Sequence, residues 1–191
     1  MNAVVTTSPL MDAALDAVFQ ALVVGITGLP GTLVRPRWQP VPPTQPSVTT
    51  DWAAIGVTTN AADAGPAILH DGTGSGADIY IRHEAITVLV TFYGPNSHKF
   101  ASLVRDDIAI PQNTEGLLAL DMRFVSSDPI RAVPELVNQQ WLRRRDIALQ
   151  FRRKITRSYP VLNLQSAEAV VQDDTNLEID VTVPPNGRLP A

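Results

Sequence analysis

Residues with side chains suited to catalysis or metal binding are few and scattered in this sequence. The 191-residue chain contains no cysteine and three histidines, His70, His83 and His98. No two histidines have the spacing by which one helix or short loop binds zinc, so a metal site would have to be assembled by tertiary structure. The lack of cysteine excludes disulfide bonds, thiolate metal sites and a cysteine nucleophile.

The carboxylates and glycines also lack the patterns of an active site. Asp106-Asp107 and Asp173-Asp174 are adjacent pairs, whereas glycoside hydrolysis needs two carboxylates that face one substrate. The glycine-rich segment 70–78 precedes a predicted strand and lacks a following Gly-Lys-Ser/Thr, which favours a hairpin tip over a phosphate-binding loop. No Gly-x-Ser-x-Gly motif is present. We therefore expect a protein that is not an enzyme, with no catalytic residue, metal or cofactor.

The most distinctive stretch of the chain is basic. Seven of the fifteen Lys and Arg residues lie between Arg143 and Arg157, and Asp146 is the only acid there. Apolar and polar side chains alternate through this stretch, which predicts a strand with one inner and one charged face. Its inner residues are Ile147, Leu149, Phe151 and Ile155. A helix is the alternative, because three of these four are spaced by four residues, but Leu149 falls outside that helical stripe.

Three functions are open for these basic side chains. They could bind phosphate, since Arg144, Arg152 and Lys154 share one face of the predicted strand. They could form a solvated face that is balanced by acids such as Glu178 and Asp180. They could also pair with carboxylates of a neighbouring subunit. The even division of basic residues between both faces disfavours a DNA platform, and the net charge of −4 argues against a general nucleic-acid binder.

Helical periodicity marks two principal helices. The first is expected to begin at Pro9, with Ser8 as its cap, and to end near Gly28. Its predicted buried stripe is Leu10, Ala13, Ala14, Ala17, Val18, Ala21 and Leu22. The second helix carries Phe100, Leu103, Val104 and Ile108 on one face. Short helical turns are expected at residues 113–118 and 166–169.

Alternating apolar residues predict the strands, at 33–37, 52–58, 67–70, 79–92, 120–124, 146–155 and 177–183. Within 79–92 the alternation changes phase, which predicts a bulge or bend near residues 83–85. Together the elements predict an α+β fold. We expect a single domain over residues 1–183, with a mainly antiparallel sheet of about five strands and two principal helices. Residues 184–191 are expected to form a flexible tail.

A proline-rich arm is predicted over residues 33–50. The chain has 16 prolines and only 18% charged residues, a composition suited to extended arms. Prolines at this density exclude a central strand and hold the backbone extended. The arm could be an inert tether or could contact a neighbour. We expect the stretch from Arg37 to Pro46 to pack on another protein and not on its own core.

The N-terminal apolar stretch is not expected to be a signal peptide or a membrane span. It has no basic segment before it, and Asp12 and Asp16 interrupt it. The protein is therefore expected to be made in the cytoplasm.

Three groups of residues stand outside the regular alternation. They are Arg37-Trp38-Gln39-Pro40 with Trp52 after it, Arg82-x-Glu84 in a strand that ends at Tyr93-Gly94, and the segment Arg131–Trp141 followed by Arg145-Asp146. These motifs resemble those of the phage neck terminator proteins, relatives of the tail terminators, and the resemblance covers roughly residues 35–160. The family pattern is expected to have a tyrosine-like aromatic at the position of Trp141, so the tryptophan of this chain is a mild departure from that pattern.

The resemblance implies a structural virion subunit that forms a ring of six copies. Such a ring caps the tail tube and joins it to the neck below the capsid. The implied partners are further copies of the chain, the tail tube, the sheath if the tail is contractile, and the neck connector. DNA would pass through the ring without specific binding, and no membrane is involved. The host cytoplasm would be the place of synthesis.

The expected subunit interface combines Trp and Arg residues with a stiff, amide-rich loop over residues 131–141. Its residues are Trp38, Trp52, Arg131, Pro134, Asn138, Trp141 and Arg145, with Arg131 and Trp141 as anchors. The alternative for Trp141 is that it fills the core of its own subunit. The alternatives for the whole chain are another neck component, such as a head-completion protein, or a small carbohydrate-binding module.

Overall fold

A computed structural model of the chain describes residues 9–41 and 43–162, together with the backbone of residues 167–172 and 178–183. In these segments three α-helices accompany a mixed, mainly antiparallel sheet. The predicted α+β fold class is therefore confirmed. The helices are α1 (Asp12–Thr27), α2 (Ser97–Asp107) and α3 (Pro111–Leu118).

The same segments contain eleven strands. They are β1 (Val34–Pro36), β2 (Trp52–Ala62), β3 (Ala67–Asp71), β4 (Ala77–Tyr93), β5 (Met122–Ser127), β6 (Arg131–Ala132), β7 (Glu135–Val137), β8 (Gln140–Leu142), β9 (Arg144–Pro160), β10 (Ala167–Gln172) and β11 (Glu178–Val183).

The main sheet has the order β1-β2-β4-β9-β5, with β3 paired to β4 and β6 paired to β9. Strand β1 runs parallel to β2, whereas β2–β4, β5–β9 and β6–β9 are antiparallel. Two further antiparallel pairs, β7–β8 and β10–β11, stand apart from this sheet. The predicted number of about five strands matches the central path of the main sheet. The strands predicted at 67–70 and 177–183 correspond to β3 and β11, whereas β6, β7, β8 and β10 were not predicted.

Helix α1 begins later than predicted and buries a different face. Its first helical residue is Asp12, not Pro9, and Gly28 ends it with a φ of 68°, which glycine adopts without strain. The buried side chains are Leu15, Phe19 and Val23. The alanines of the predicted stripe are exposed, because the larger side chains remove more apolar surface from water than alanine does.

The described chain divides into two compact units. The larger unit consists of residues 9–67 together with 81–156, and it contains the hydrophobic core. This core lies between the helices and one face of the main sheet. The inward side chains of the central strands are Ile86, Val88, Val90 and Phe92 on β4 and Ile147, Leu149 and Phe151 on β9. Since strand side chains alternate, the residues between them point to the opposite face of the sheet. That second face carries the candidate site.

Strand β4 pairs with β2 from Glu84 to Tyr93, and the register shift of this pairing lies in β2, between Val57 and Thr59. The β2–β4 pairing therefore shows no bulge at residues 84 and 85 of β4. A bend of β4 near residues 83–85 stays a prediction.

Among the described residues, the smaller unit contains 68–80, 157–162, 167–172 and 178–183. Strands β3 and β4 form the hairpin that the glycine-rich segment predicted. The rings of Tyr80 and Tyr159 meet edge to face, with centroids 6.2 Å apart. Residues 167–169 lie in strand β10, so the helical turn expected at 166–169 is wrong there. The predicted tail, residues 184–191, lies outside the described residues.

Candidate interaction site

Residues 135–142 form a tight β-hairpin, where the sequence predicted an irregular loop. Strands β7 and β8 pair from Glu135↔Leu142 to Val137↔Gln140. The two connecting residues, Asn138 and Gln139, have φ angles of 47° and 62°. Two positive φ values in a two-residue connection are the signature of the type I′ turn, in which Asn is favoured. Asn138 therefore has a structural role in the turn, besides any role at an interface.

The two faces of this hairpin have different environments. Leu142 is buried and forms a small apolar cluster with Ala54 and Tyr93, against which Val137 also packs. On the opposite face, Leu136 and Trp141 form a cross-strand pair and are 62% and 69% exposed. The alternative in which Trp141 fills its own subunit's core is therefore wrong. One face anchors the hairpin, and the other presents two large apolar side chains to solvent.

The remaining predicted interface residues of this region lie beside the hairpin. Arg131 and Pro134 are exposed. Arg131 lies opposite Asp146 in the β6–β9 pairing. Arg145 is half-buried and donates a hydrogen bond from Nη1 to the carbonyl oxygen of Arg144, 3.0 Å away. The structure thus brings Arg131, Pro134, Asn138, Trp141 and Arg145 together in one region.

Trp38 and Trp52 belong to a second feature, a cleft of about 500 Å³ on the same face of the sheet. Residues from β1, the proline-rich arm, β2 and β4 line it, and Glu135 connects it to the hairpin. The charged and aromatic residues of its wall are Arg35, Arg37, Trp38, Trp52, Tyr93 and Glu135.

A stacked aromatic pair forms the floor of this region. Trp52 and Tyr93 are cross-strand partners, and their rings stack with centroids 4.1 Å apart and an interplanar angle of 9°. The guanidinium carbon of Arg35 lies 5.7 Å from the Trp52 ring centroid, and that of Arg144 lies 5.8 Å from the Tyr93 centroid. Burial raises the pKa of the Tyr93 phenol. Stacking and cation–π contacts fix these four side chains relative to one another.

Arg144 ties the hairpin to the basic strand. Its guanidinium pairs with both oxygens of Asp146 at 2.8 Å and also forms an ion pair with Glu135 of β7. Hydrogen bonds to Asp146, and then to Glu135, raise the pKa of Arg144. This bidentate geometry is the strong form of the Arg–carboxylate contact. The hairpin is thus held by an ion-pair network on one side and by buried Leu142 on the other.

Arg37 has an unusual environment for a cation. It is half-buried, and burial lowers its pKa from the ordinary value. Its Nη2 donates to the hydroxyl of Thr91 at 2.5 Å, but its Nε is covered and has no acceptor among the described residues. The indole Nε1 of Trp52 is covered in the same way and also lacks a described acceptor.

The start of the proline-rich arm rests on its own subunit. The backbone N–H of Arg37 donates to the carbonyl oxygen of Ile55 at 2.7 Å. A Cβ atom added to Gly56 would lie 2.8 Å from the Trp38 ring, so that ring lies directly on β2. Arg37 and Trp38 thus contact β2 of their own subunit, but Trp38 is 61% exposed and neither residue belongs to a buried cluster. Packing of these two residues on another protein stays a prediction. For the exposed residues Val41 and Pro43, a contact with another protein stays a prediction.

The basic strand pairs with carboxylates of its own chain. Arg152 pairs with Asp63, buried Arg153 with buried Glu84, and Lys154 with Asp121 at 3.6 Å. One of the three interpretations of the basic strand named Glu178 and Asp180 as balancing acids, but these two residues lie on β11, whose partner strand is β10. Strand β9 itself and its inner face are confirmed. Its positive charge is largely offset within the subunit, which leaves little for phosphate.

Within the described segments, no three His, Asp or Glu residues are grouped as metal ligands. None of the helices described is long and apolar enough to cross a membrane.

Sequence reasoning missed the buried Glu84–Arg153 pair and the roles of Arg35, Tyr93 and Glu135 in the cleft. A signal for the ion pair was available. Glu84 continues the inward series of β4, and Arg153 continues the inward series of β9. Since an ionised side chain at a core position needs a partner, the two could have been matched. The cleft has no such signal, because four separate segments assemble it.

The comparisons with known proteins agree with the resemblance in the motifs. A family model described as phage neck terminator protein matches residues 13–180, which is most of the chain. No curated protein matches the chain.

Proposed function

We propose that this chain, which belongs to the phage neck terminator family, assembles through its β7–β8 hairpin into a closed ring of six copies. Membership makes the chain a structural protein of the phage neck that associates with other neck and tail proteins. In the proposal, the ring caps the tail tube and joins it to the connector, and DNA passes through it without specific binding.

The observation that carries the proposal is the exposed pair Leu136 and Trp141 on an anchored hairpin. A buried Trp at the centre of an interface is a frequent source of binding energy. The type I′ turn and the Arg144 network fix the hairpin before it docks. Little conformational entropy is then lost on association, which favours tight contact.

The charges around the hairpin fit the same role. Arg131 is exposed and forms no ion pair within the described part of the chain, so it is free to pair with a carboxylate of a neighbouring copy. The hairpin must dock on a different surface of that neighbour. Such a heterologous contact closes into a ring when the rotation between copies divides a full turn.

The offset charge of β9 supports the proposed passage of DNA. Arg144, Arg152, Arg153 and Lys154 each have a carboxylate partner in their own subunit. A channel that held phosphates firmly would slow the DNA that moves through it, because each fixed phosphate contact adds affinity.

Trp141→Ala tests the hairpin contact. Because the side chain is exposed, the free energy of unfolding of the isolated subunit should change by no more than about 0.5 kcal/mol. Loss of a central interface Trp should weaken each contact by at least about 2 kcal/mol, roughly 30-fold in affinity. Negative-stain images of the purified protein, and tail completion in infected cells, measure assembly.

Val125→Ala is the matched control. Val125 is a large apolar residue with 60% exposure, on edge strand β5 and away from the hairpin. Its replacement should leave subunit stability and ring formation unchanged. Rings that form equally well with Trp141→Ala would refute the hairpin contact.

A further inference from the structure

Two arginines of the cleft wall, Arg35 and Arg37, form no direct ion pair with a carboxylate of the described residues. Arg35 donates to the carbonyl oxygens of Thr32 and Thr44, and Arg37 donates to the Thr91 hydroxyl. All three acceptors are neutral. Glu135 is the acid in this wall, and Arg144 already engages it.

Two N–H donors of the same wall lack an acceptor. They are Nε of Arg37 and Nε1 of Trp52, both covered by protein and both without a described hydrogen-bond partner. Most buried N–H donors of folded proteins have a hydrogen-bond acceptor, and a buried donor without one lowers the stability of the fold. Because protein covers these two atoms, a ligand in the cleft would reach other N–H groups of Arg35 and Arg37, which both line it. A carboxylate serves a guanidinium best, since it accepts from two donors at once.

The apolar residues of the cleft wall indicate which kind of molecule would supply the carboxylate. Pro36, Trp38 and Pro43 line the cleft beside the Trp52–Tyr93 stack. A hydrated inorganic ion gains nothing from rings and prolines. An extended peptide buries its backbone and apolar side chains against them, as peptides do in aromatic-lined grooves.

We propose that this cleft binds an extended peptide segment of another virion protein, with an acidic side chain of that segment placed between Arg35 and Arg37. That the peptide comes from another virion protein rests on the proposed function. That the cleft recognises a carboxylate is independent of the proposed function, because one subunit supplies the whole cleft.

Two capped pentapeptides that differ in one residue test the carboxylate, Ala-Pro-Glu-Pro-Ala and Ala-Pro-Gln-Pro-Ala. The readout is the ¹⁵N-correlated spectrum of the full chain, in which the indole N–H groups and the Arg37 Nε–H are observed directly. The Glu peptide should shift the Trp52 and Arg37 signals and leave that of Trp141 in place. The Gln peptide should bind about tenfold more weakly, the loss expected for one charge-assisted hydrogen bond.

Arg37→Lys keeps the charge but removes the planar donors, and it should weaken binding of the Glu peptide about tenfold. Arg123→Lys, the same change at an exposed site on β5 outside the cleft, should leave it unaltered. Equal binding of both peptides, no shift with either, or equal shifts with inorganic phosphate would overturn the proposal. Loss of ring formation by Arg37→Lys alone would overturn it too, since the occupant would then be a second copy.

Discussion

Glu84→Ala should destabilise the subunit strongly, because it leaves a buried guanidinium without its counterion. Glu84 and Arg153 are 5% and 2% exposed. Arg153 donates from Nε to Oε1 of Glu84 at 2.7 Å and from Nη2 to the same oxygen. Its Nη1 donates to the carbonyl oxygen of Leu10 at 2.6 Å. The pair thus connects strands β4 and β9 and holds the segment before α1.

The magnitude follows from the burial of both partners. Removing one member of a buried ion pair costs about 3–5 kcal/mol, because the remaining charge stays away from water. In a domain of this size each kcal/mol lowers Tm by about 2–4 °C, so the expected fall is roughly 6–20 °C. Urea unfolding followed by circular dichroism measures the free energy directly.

The neighbouring residue supplies a matched control. Arg152 is paired with Asp63, and these side chains are 52% and 39% exposed. Asp63→Ala should therefore cost at most about 1 kcal/mol. The double change Glu84→Leu with Arg153→Met should recover most of the loss, since apolar replacement of a buried pair is often neutral or stabilising. A Glu84→Ala loss below about 1 kcal/mol, or equal losses for Glu84→Ala and Asp63→Ala, would refute the reasoning.

Three further predictions concern the turn, the stack and DNA. Asn138→Ala should cost about 1 kcal/mol in urea unfolding, because alanine resists positive φ, whereas Asn138→Gly should cost nothing. Burial raises the Tyr93 pKa, so the stability that this phenol contributes is complete below about pH 10 and is lost as pH rises through the folded-state pKa. Tyr93→Phe should remove that alkaline decline of Tm. Duplex DNA should show no gel shift at physiological salt, and micromolar, salt-steep binding would contradict the proposed passage of DNA.

The central strands were predictable from sequence because their surroundings impose a period of two. Both β4 and β9 bury every second residue over long runs, so the strands and their inner faces follow from the alternation. Helix α1 was predicted with the wrong face, since its apolar residues surround the helix. There, packing favoured Leu15, Phe19 and Val23 over the alanines.

The interaction site was predictable only in its residue types. Trp and Arg in an amide-rich segment indicated an interface, but the Asn138-Gln139 turn lacks the Asn-Gly pair that marks a type I′ hairpin. The exposed position of Trp141 follows from that hairpin and from burial of Leu142. The cleft depends on residues distant in sequence, such as Arg37 and Thr91, whose contact no local pattern encodes.

Solvent access at the hairpin, measured in the isolated chain and in assembled phage necks, tests the central claim most directly. Hydroxyl-radical footprinting with mass spectrometry reports the reactivity of each side chain in both states. Trp141 and Leu136, exposed in the isolated subunit, should become strongly protected in the assembled neck, while Val125 reacts equally in both. Equal oxidation of Trp141 in the two states would show that the hairpin does not join the copies.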